Sequence, residues 1–97
     1  MRLRYSPAAA RDIQRLYRQS IILFGMRQAD AYYDGFAAAI GQLQAFPEAA
    51  PLREDLHGAF RVMRYQSHNI VYRIDAGEIV VVRILHGRMD MPRHVKP

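Results

Sequence analysis

The stretch Val82–Asp90, VRILHGRMD, sets a histidine, a glycine, an arginine and an aspartate at the point where an apolar run ends. Imidazole titrates near neutral pH, so three roles are open to His86: general base, metal ligand, or packed strand-end residue hydrogen-bonded to a neighbouring carbonyl or carboxylate. Packing is the commonest outcome for such a histidine. A metal is the weakest of the three, because no second ligand stands at good spacing and His94 lies in the tail. Gly87 permits a turn away from the sheet, which leaves Arg88 and Asp90 wet and suited to contact with a partner; Arg93 follows in the tail. Arg83 interrupts the apolar run itself. A buried guanidinium needs a carboxylate, and Glu54, Asp55 and Glu78 are the candidates, so Arg83 is read as structural.

These residues sit in a chain of 97, the size of one small domain, 1–97. There are no cysteines, which excludes a disulfide framework, a thiol nucleophile and a cysteine zinc site. No cofactor is called for. The N-terminus, MRLRYSPAAARDIQRL, has no apolar signal-peptide core, and no apolar run approaches the ~20 residues of a membrane span. A soluble, cytoplasmic protein with no membrane partner is expected. Net charge is +5, and of 14 basic residues Lys96 is the only lysine, leaving 13 arginines. The planar guanidinium suits carboxylate and phosphate alike, so RNA, DNA and an acidic protein segment all remain open as partners.

The elements that position these groups follow from period and punctuation. Arg2–Ser6 alternates like a short strand. Ser6 is a good N-cap and Pro7 a good first helical residue. Ile13, Leu16, Tyr17 and Phe24 fall on one face of the helix that follows, with Arg11, Gln14, Arg15 and Arg18 largely on the other. Gly25 ends it, and a second helix is predicted over about Arg27–Phe46, with Tyr32, Tyr33, Phe36, Ile40 and Leu43 as its apolar stripe and Pro47 as its stop. The link is short enough for an antiparallel helical hairpin. Pro47–Gly58 reads as a loop. Three strands follow, about Ala59–Tyr65, Asn69–Asp75 and Glu78–Leu85, the last pair joined by a tight DAGE turn. Short links make them antiparallel. The fold class is α+β, two-layered: N-terminal strand, antiparallel helical hairpin, three-stranded antiparallel sheet. One sheet face or groove is expected to stay open, and the tail MPRHVKP to fray.

This order, with these residues, resembles the ParE branch of the ParE/RelE toxins of type II toxin–antitoxin systems, the plasmid stabilisation family. The likeness runs from Leu3 to about Asp90. FG (Phe24–Gly25) ends the first helix and QADAYYDGF (Gln28–Phe36) resembles the family's opening of the second. FPEAAPLREDL (Phe46–Leu56) resembles its P-x-x-G-x-x-R-x-x-L loop, with Ala49 or Ala50 in place of glycine. GAFRVMRYQSHNIVYRI (Gly58–Ile74) and IVVVRILHGRMD (Ile79–Asp90) resemble its strand pair and its closing strand. The resemblance implies a toxin held inactive by a small, DNA-binding, ParD-like antitoxin whose C-terminal segment wraps it. ParE-like members are associated with inhibition of DNA gyrase; RelE-like members are ribosome-dependent mRNA endonucleases.

The candidate residues bear on that choice. An RNA-cleaving site needs a base or orienting group at the 2′-hydroxyl, cations for the phosphorane charge and an acid for the leaving oxygen. The set available for it is Arg61, His86 and Arg88. Met63 stands where a second cation is wanted, Asn69 stands near where the next strand would offer an arginine, and no tyrosine follows Tyr72. The cluster is half present, and a protein-binding toxin is the favoured reading, with Arg61, His86, Arg88, Asp90 and Arg93 as target-contact candidates and DNA gyrase as target. A RelE-like nuclease, or an inactive relative acting as a complex-forming partner, are the alternatives. Arg11, Arg15 and Arg18 form a basic ridge for an acidic antitoxin segment, joined as antitoxin-contact candidates by Tyr32 and Arg64. Strand alternation puts Arg61 and Arg64 on opposite sheet faces. Direct sequence-specific DNA binding is not expected of this chain.

Overall fold

A computed structural model describes residues 1–95. The chain runs β1 (Arg2–Tyr5), α1 (Pro7–Phe24), α2 (Met26–Ala45), β2 (Arg61–Tyr65), β3 (His68–Asp75), β4 (Glu78–His86) and α3 (Met91–His94). Local chemistry sets most of these bounds. The Ser6 hydroxyl accepts from the Ala9 N–H at 3.0 Å, capping α1, and Pro7 occupies the first turn. Gly25 alone joins the helices, at φ 88°, a conformation open to glycine at no steric cost. The Asp75–Glu78 turn holds Ala76 and Gly77 both at positive φ, 50° and 77°, which matches the twist of the flanking strands. Ala59 also has positive φ, 57°, so β2 begins at Arg61 rather than at Ala59.

The sheet has four strands, in the order β1-β4-β3-β2. The three C-terminal strands are antiparallel, as their short links require, and β1 adds to the same sheet parallel to β4. Helices α1 and α2 cover one face. Ala9, Phe36, Ile40, Ile70, Val81 and Ile84 form the core there, continued by Leu43, Tyr72 and Ile79. Each fully buried Ile, Leu or Phe contributes about 1.5–3 kcal/mol by leaving water.

Two expectations change at the second face. It is not open. The later part of the loop, with Leu56 and Phe60, folds over it, and Leu56, Phe60, Val71, Leu85 and Val95 make a second, smaller core. Nor does the tail fray through its length: Met91–His94 is helical and Val95 is 6% exposed in that core. The cause is the length of β4, whose far-face side chains need cover that the helices cannot give. Lys96 and Pro97, the rest of that tail, lie outside the described residues.

β1 is short, pairing only with Glu78–Val81, so the rest of β4 has an outer edge with no strand against it. Side chains from α1 and its cap fill that role. The Ser6 hydroxyl donates to the Val82 carbonyl at 2.6 Å, and the Asp12 carboxylate accepts from the Ile84 N–H at 2.9 Å. A register shift between Val71 and Tyr72 leaves Val82 as an extra residue in β4, which turns Arg83 to the face away from the helices.

Candidate functional site

Arg83 is held in an internal ion pair, but its partner is none of the three candidates Glu54, Asp55 and Glu78. Asp12, buried to 6% exposure, takes Arg83 Nε at 2.8 Å and Nη2 at 3.1 Å, while Arg83 Nη1 donates to the His94 carbonyl at 3.1 Å. The fork-to-carboxylate bond holds the guanidinium's pKa above its ordinary value, against the pull of burial. One side chain thus ties α1, β4 and the C-terminal turn together. Glu78 instead meets Arg4 at 3.5 Å and Asp55 meets Arg53 at 2.8 Å.

The open chemistry lies at the other end of the sheet. His68 and His86 are cross-strand partners on the helix-facing side, with ring centroids 5.4 Å apart and planes at 78°. The Tyr32 hydroxyl of α2 and His68 Nδ1 share a hydrogen bond at 2.9 Å. Tyr65 stands edge-on to Tyr32, 5.4 Å between centroids, and to Phe36, 5.3 Å. Gly35 makes that stack possible: a Cβ there would overlap the Tyr65 hydroxyl. Beyond β4, the Arg88 N–H donates to His86 Nδ1 at 3.2 Å. Burial lowers the His68 pKa, and the neighbouring His86 and Arg64 lower it further. Burial raises that of Tyr32, and Tyr65 adds to the rise.

Gly87 carries no positive φ, so its use is close approach rather than backbone freedom. A Cβ there would come within 2.8 Å of the Arg64 guanidinium, which crosses the end of the sheet and donates to the Gln66 carbonyl at 2.6 Å. His86 is exposed, and its Nδ1 takes the Arg88 N–H rather than packing against a carbonyl or carboxylate. His68 is the acid/base residue that sequence reasoning missed.

A groove of about 400 Å³ runs from this pair to the tip of the helical hairpin, walled by Leu16, Leu23, Phe24 and Tyr32. The tip is bare. Ile22, Leu23, Phe24 and Met26 are 81%, 70%, 60% and 61% exposed, although Phe24 was placed on the packed face, and Tyr33, placed on the α2 stripe, is exposed as well. Length explains the tip. α1 starts beside Val81, where the Ser6 N–H donates to the Val81 carbonyl. From there β4 continues for only about 17 Å, against about 27 Å for the helix, so the last turns of α1 overhang the sheet.

The remaining candidates separate into three places. Arg88 adjoins His86, its N–H bonded to the ring, while Asp90 and Arg93 lie further along the chain, 3.8 Å apart; all three are exposed. Arg61 is remote: it pairs across from Tyr72, four residues along β2 from the Tyr65–His68–His86 row, about 13 Å away, and its guanidinium is spent on the Ala50 carbonyl at 2.6 Å. Met63 packs into the helix-side core and Asn69 is buried facing the other way. Arg11, Arg15 and Arg18 line a separate hollow of about 390 Å³ on α1 with Gln14, Gln19 and Ile22. Arg15 is 3.8 Å from Asp12; Arg11 and Arg18 enter no ion pair among the described residues. Tyr32 and Arg64 belong to the histidine corner. Among the described residues no three histidines, aspartates or glutamates group as a metal site, and no helix is long and apolar enough to cross a membrane.

Comparison with known proteins agrees with this architecture. Residues 3–91 match the family model described as "ParE toxin of type II toxin-antitoxin system, parDE". The chain is 32% identical over 91 residues to Toxin ParE1 of Mycobacterium tuberculosis, covering 93% of each protein. It is 29% identical over 80 residues to Toxin ParE3 of Caulobacter vibrioides, covering 82% of this chain and 80% of that one. Its fold superposes on a chain of the chromosomal ParDE TA system from P. aeruginosa with a TM-score of 0.78, at 21% identity, over 89% of this chain and 95% of the other. With a family match over residues 3–91 and a relative aligned over 93% of both chains, the chain belongs to the ParE toxin family of type II toxin–antitoxin systems.

Proposed function

We propose that this toxin acts by binding a protein target, DNA gyrase, through the exposed C-terminal segment that carries His86, Arg88, Asp90 and Arg93, and that a ParD-like antitoxin neutralises it. The observation that carries a binding reading over a nuclease is the separation of the RNA-cleaving set. Arg61 lies about 13 Å along β2 from the histidine row and is engaged by Ala50. Met63, on the same face as Arg61, is in the core. A developing phosphorane charge at His86 therefore meets neither Arg61 nor a cation at position 63; Arg64 is the β2 guanidinium near it, and that group reaches around from the other face and donates to the Gln66 carbonyl. What the corner does offer is exposed arginine and imidazole at the end of a rigid sheet, a frequent composition for contacts that anchor a protein partner. The antitoxin reading rests on the α1 ridge. Arg11, Arg15 and Arg18 present guanidinium groups along one helical face beside exposed Ile22, complementary to a segment bearing carboxylates and an apolar anchor.

Two assays on toxin released from its antitoxin test this. Supercoiling by purified DNA gyrase is expected to fall with added toxin, and mRNA on translating ribosomes to stay intact. Site-specific cleavage in the ribosomal A site, lost in Arg61→Ala, would instead establish the nuclease.

A further inference from the structure

The groove between the hairpin and the strand ends has an unusual lining. Its apolar wall is Leu16, Leu23, Phe24 and Tyr32, its polar end is His68 and His86, and no carboxylate lines it. Arg64 and Arg88 flank the same end. The groove adjoins the hollow of the α1 arginine ridge, and Gln19 lines both. A segment laid along that ridge therefore runs on into the groove. We propose that the antitoxin segment seats a carboxylate between His68 and His86, covers Leu23 and Phe24 with apolar side chains, and takes up a proton on His68 as it binds. This rests on the antitoxin reading above and specifies the chemistry of its contact.

The donor pattern sets up the step. The Arg88 N–H donates to His86 Nδ1, which leaves the His86 ring proton on Nε2, and with the Tyr32 hydroxyl taken as the donor to His68 Nδ1 the neutral His68 ring likewise carries its proton on Nε2. Two N–H donors are then left for one carboxylate. At His86 the Nδ1 lone pair is already taken by the Arg88 N–H. His68 has no such obstacle: its Nδ1–H can donate to the Tyr32 oxygen once the hydroxyl turns away. In the free toxin, His68 meets Tyr32 from α2, Arg64 and Tyr65 from β2, and His86 from β4. From α1, Asp12 and Arg15 line an adjacent hollow of about 190 Å³ that also touches both histidines. Asp12 offers His68 little, since Arg83 and the Ile84 N–H occupy its two oxygens. Burial and the surrounding cations keep His68 neutral until an anion arrives, and a seated carboxylate reverses that balance.

The test is calorimetry of this chain with the full-length antitoxin encoded beside it, in two buffers of different ionisation enthalpy. Uptake approaching one proton per toxin is expected near pH 7, with binding roughly thirtyfold or more tighter at about pH 6 than at about pH 8. His68→Gln is expected to abolish the uptake and the pH dependence while the complex still forms. His86→Ala is expected to weaken binding and retain uptake. Binding without proton uptake, or uptake that survives His68→Gln, overturns the inference and leaves the antitoxin reading standing. Absence of binding at every pH overturns both.

Discussion

Two clusters of charge sit on the same stretch of β4 and answer opposite questions. At Asp12–Arg83 every strong donor has an internal acceptor: a bidentate ion pair, a strand N–H and a tail carbonyl close on one another. At His68–His86 the rings face each other beside a groove, exposed cations surround them, and Arg88 makes no ion pair among the described residues. The difference shows how to tell a structural charge from a working one. Sequence gives both the same residue types. What separates them is whether the fold has already satisfied them, and this leads to four expectations, taken from the largest effect on stability to the smallest.

Asp12→Ala breaks the closed cluster. It strands the Arg83 guanidinium, 21% exposed, and the Ile84 N–H together. Loss of one partner of such a pair costs about 3–5 kcal/mol, which in a domain of this size is a fall of roughly 15–30 °C in Tm. Arg83→Ala is expected to cost a similar amount, and the double variant less than the sum of the two singles, because no charge is then left alone. Additive losses in thermal unfolding would show that the two residues act separately.

Gly35→Ala reaches the open corner from beneath. Alanine alone favours a helix interior by about 1 kcal/mol over glycine, yet its Cβ collides with the Tyr65 hydroxyl. A net loss of about 1–2 kcal/mol is expected from overpacking, and Tyr65→Phe should remove most of it. Urea denaturation of the two singles and the double reads this out.

Titration of the corner has a smaller effect with a definite sign. His68 binds its proton less readily folded than unfolded. The unfolded chain therefore holds more protons as pH falls through the ordinary histidine range, and stability declines in that direction. His68→Gln should flatten the slope of Tm between about pH 7 and about pH 5.5; an unchanged slope would mean that another group governs it.

Much of this fold was legible in the sequence because its signals are local. Ser6 and Pro7 start α1, Pro47 stops α2, and the DAGE turn pairs β3 with β4. What escaped was long-range or depended on cover. Asp12 and Arg83 are 71 residues apart, so the pattern of β4 showed that Arg83 needed a carboxylate without showing which one. The apolar period of α1 marks Phe24 as inward, but period cannot say that the sheet ends before the helix does. Val95 becomes core only because β4 has a second face to cover. His68 was hidden by its neighbours: in QSHN it reads as a turn residue, and only the β3–β4 register sets it opposite His86. Arg61 and His86 were grouped by chemistry, and that same register parts them.

The smallest effect on stability belongs to the residue with the largest role in the proposal. Arg88 is exposed and unpaired among the described residues, so Arg88→Ala is expected to shift stability by no more than about 0.5 kcal/mol. An arginine that anchors a protein contact is worth about 2 kcal/mol or more in binding, roughly a thirtyfold loss of affinity. The most direct measurement is binding of wild type and Arg88→Ala to purified DNA gyrase, with Tm and antitoxin affinity recorded on the same samples. The account predicts a loss of at least about thirtyfold for gyrase, with Tm unchanged and a smaller loss of antitoxin affinity. Equal gyrase binding by the two proteins, or a fall in Tm that accounts for the loss, contradicts it.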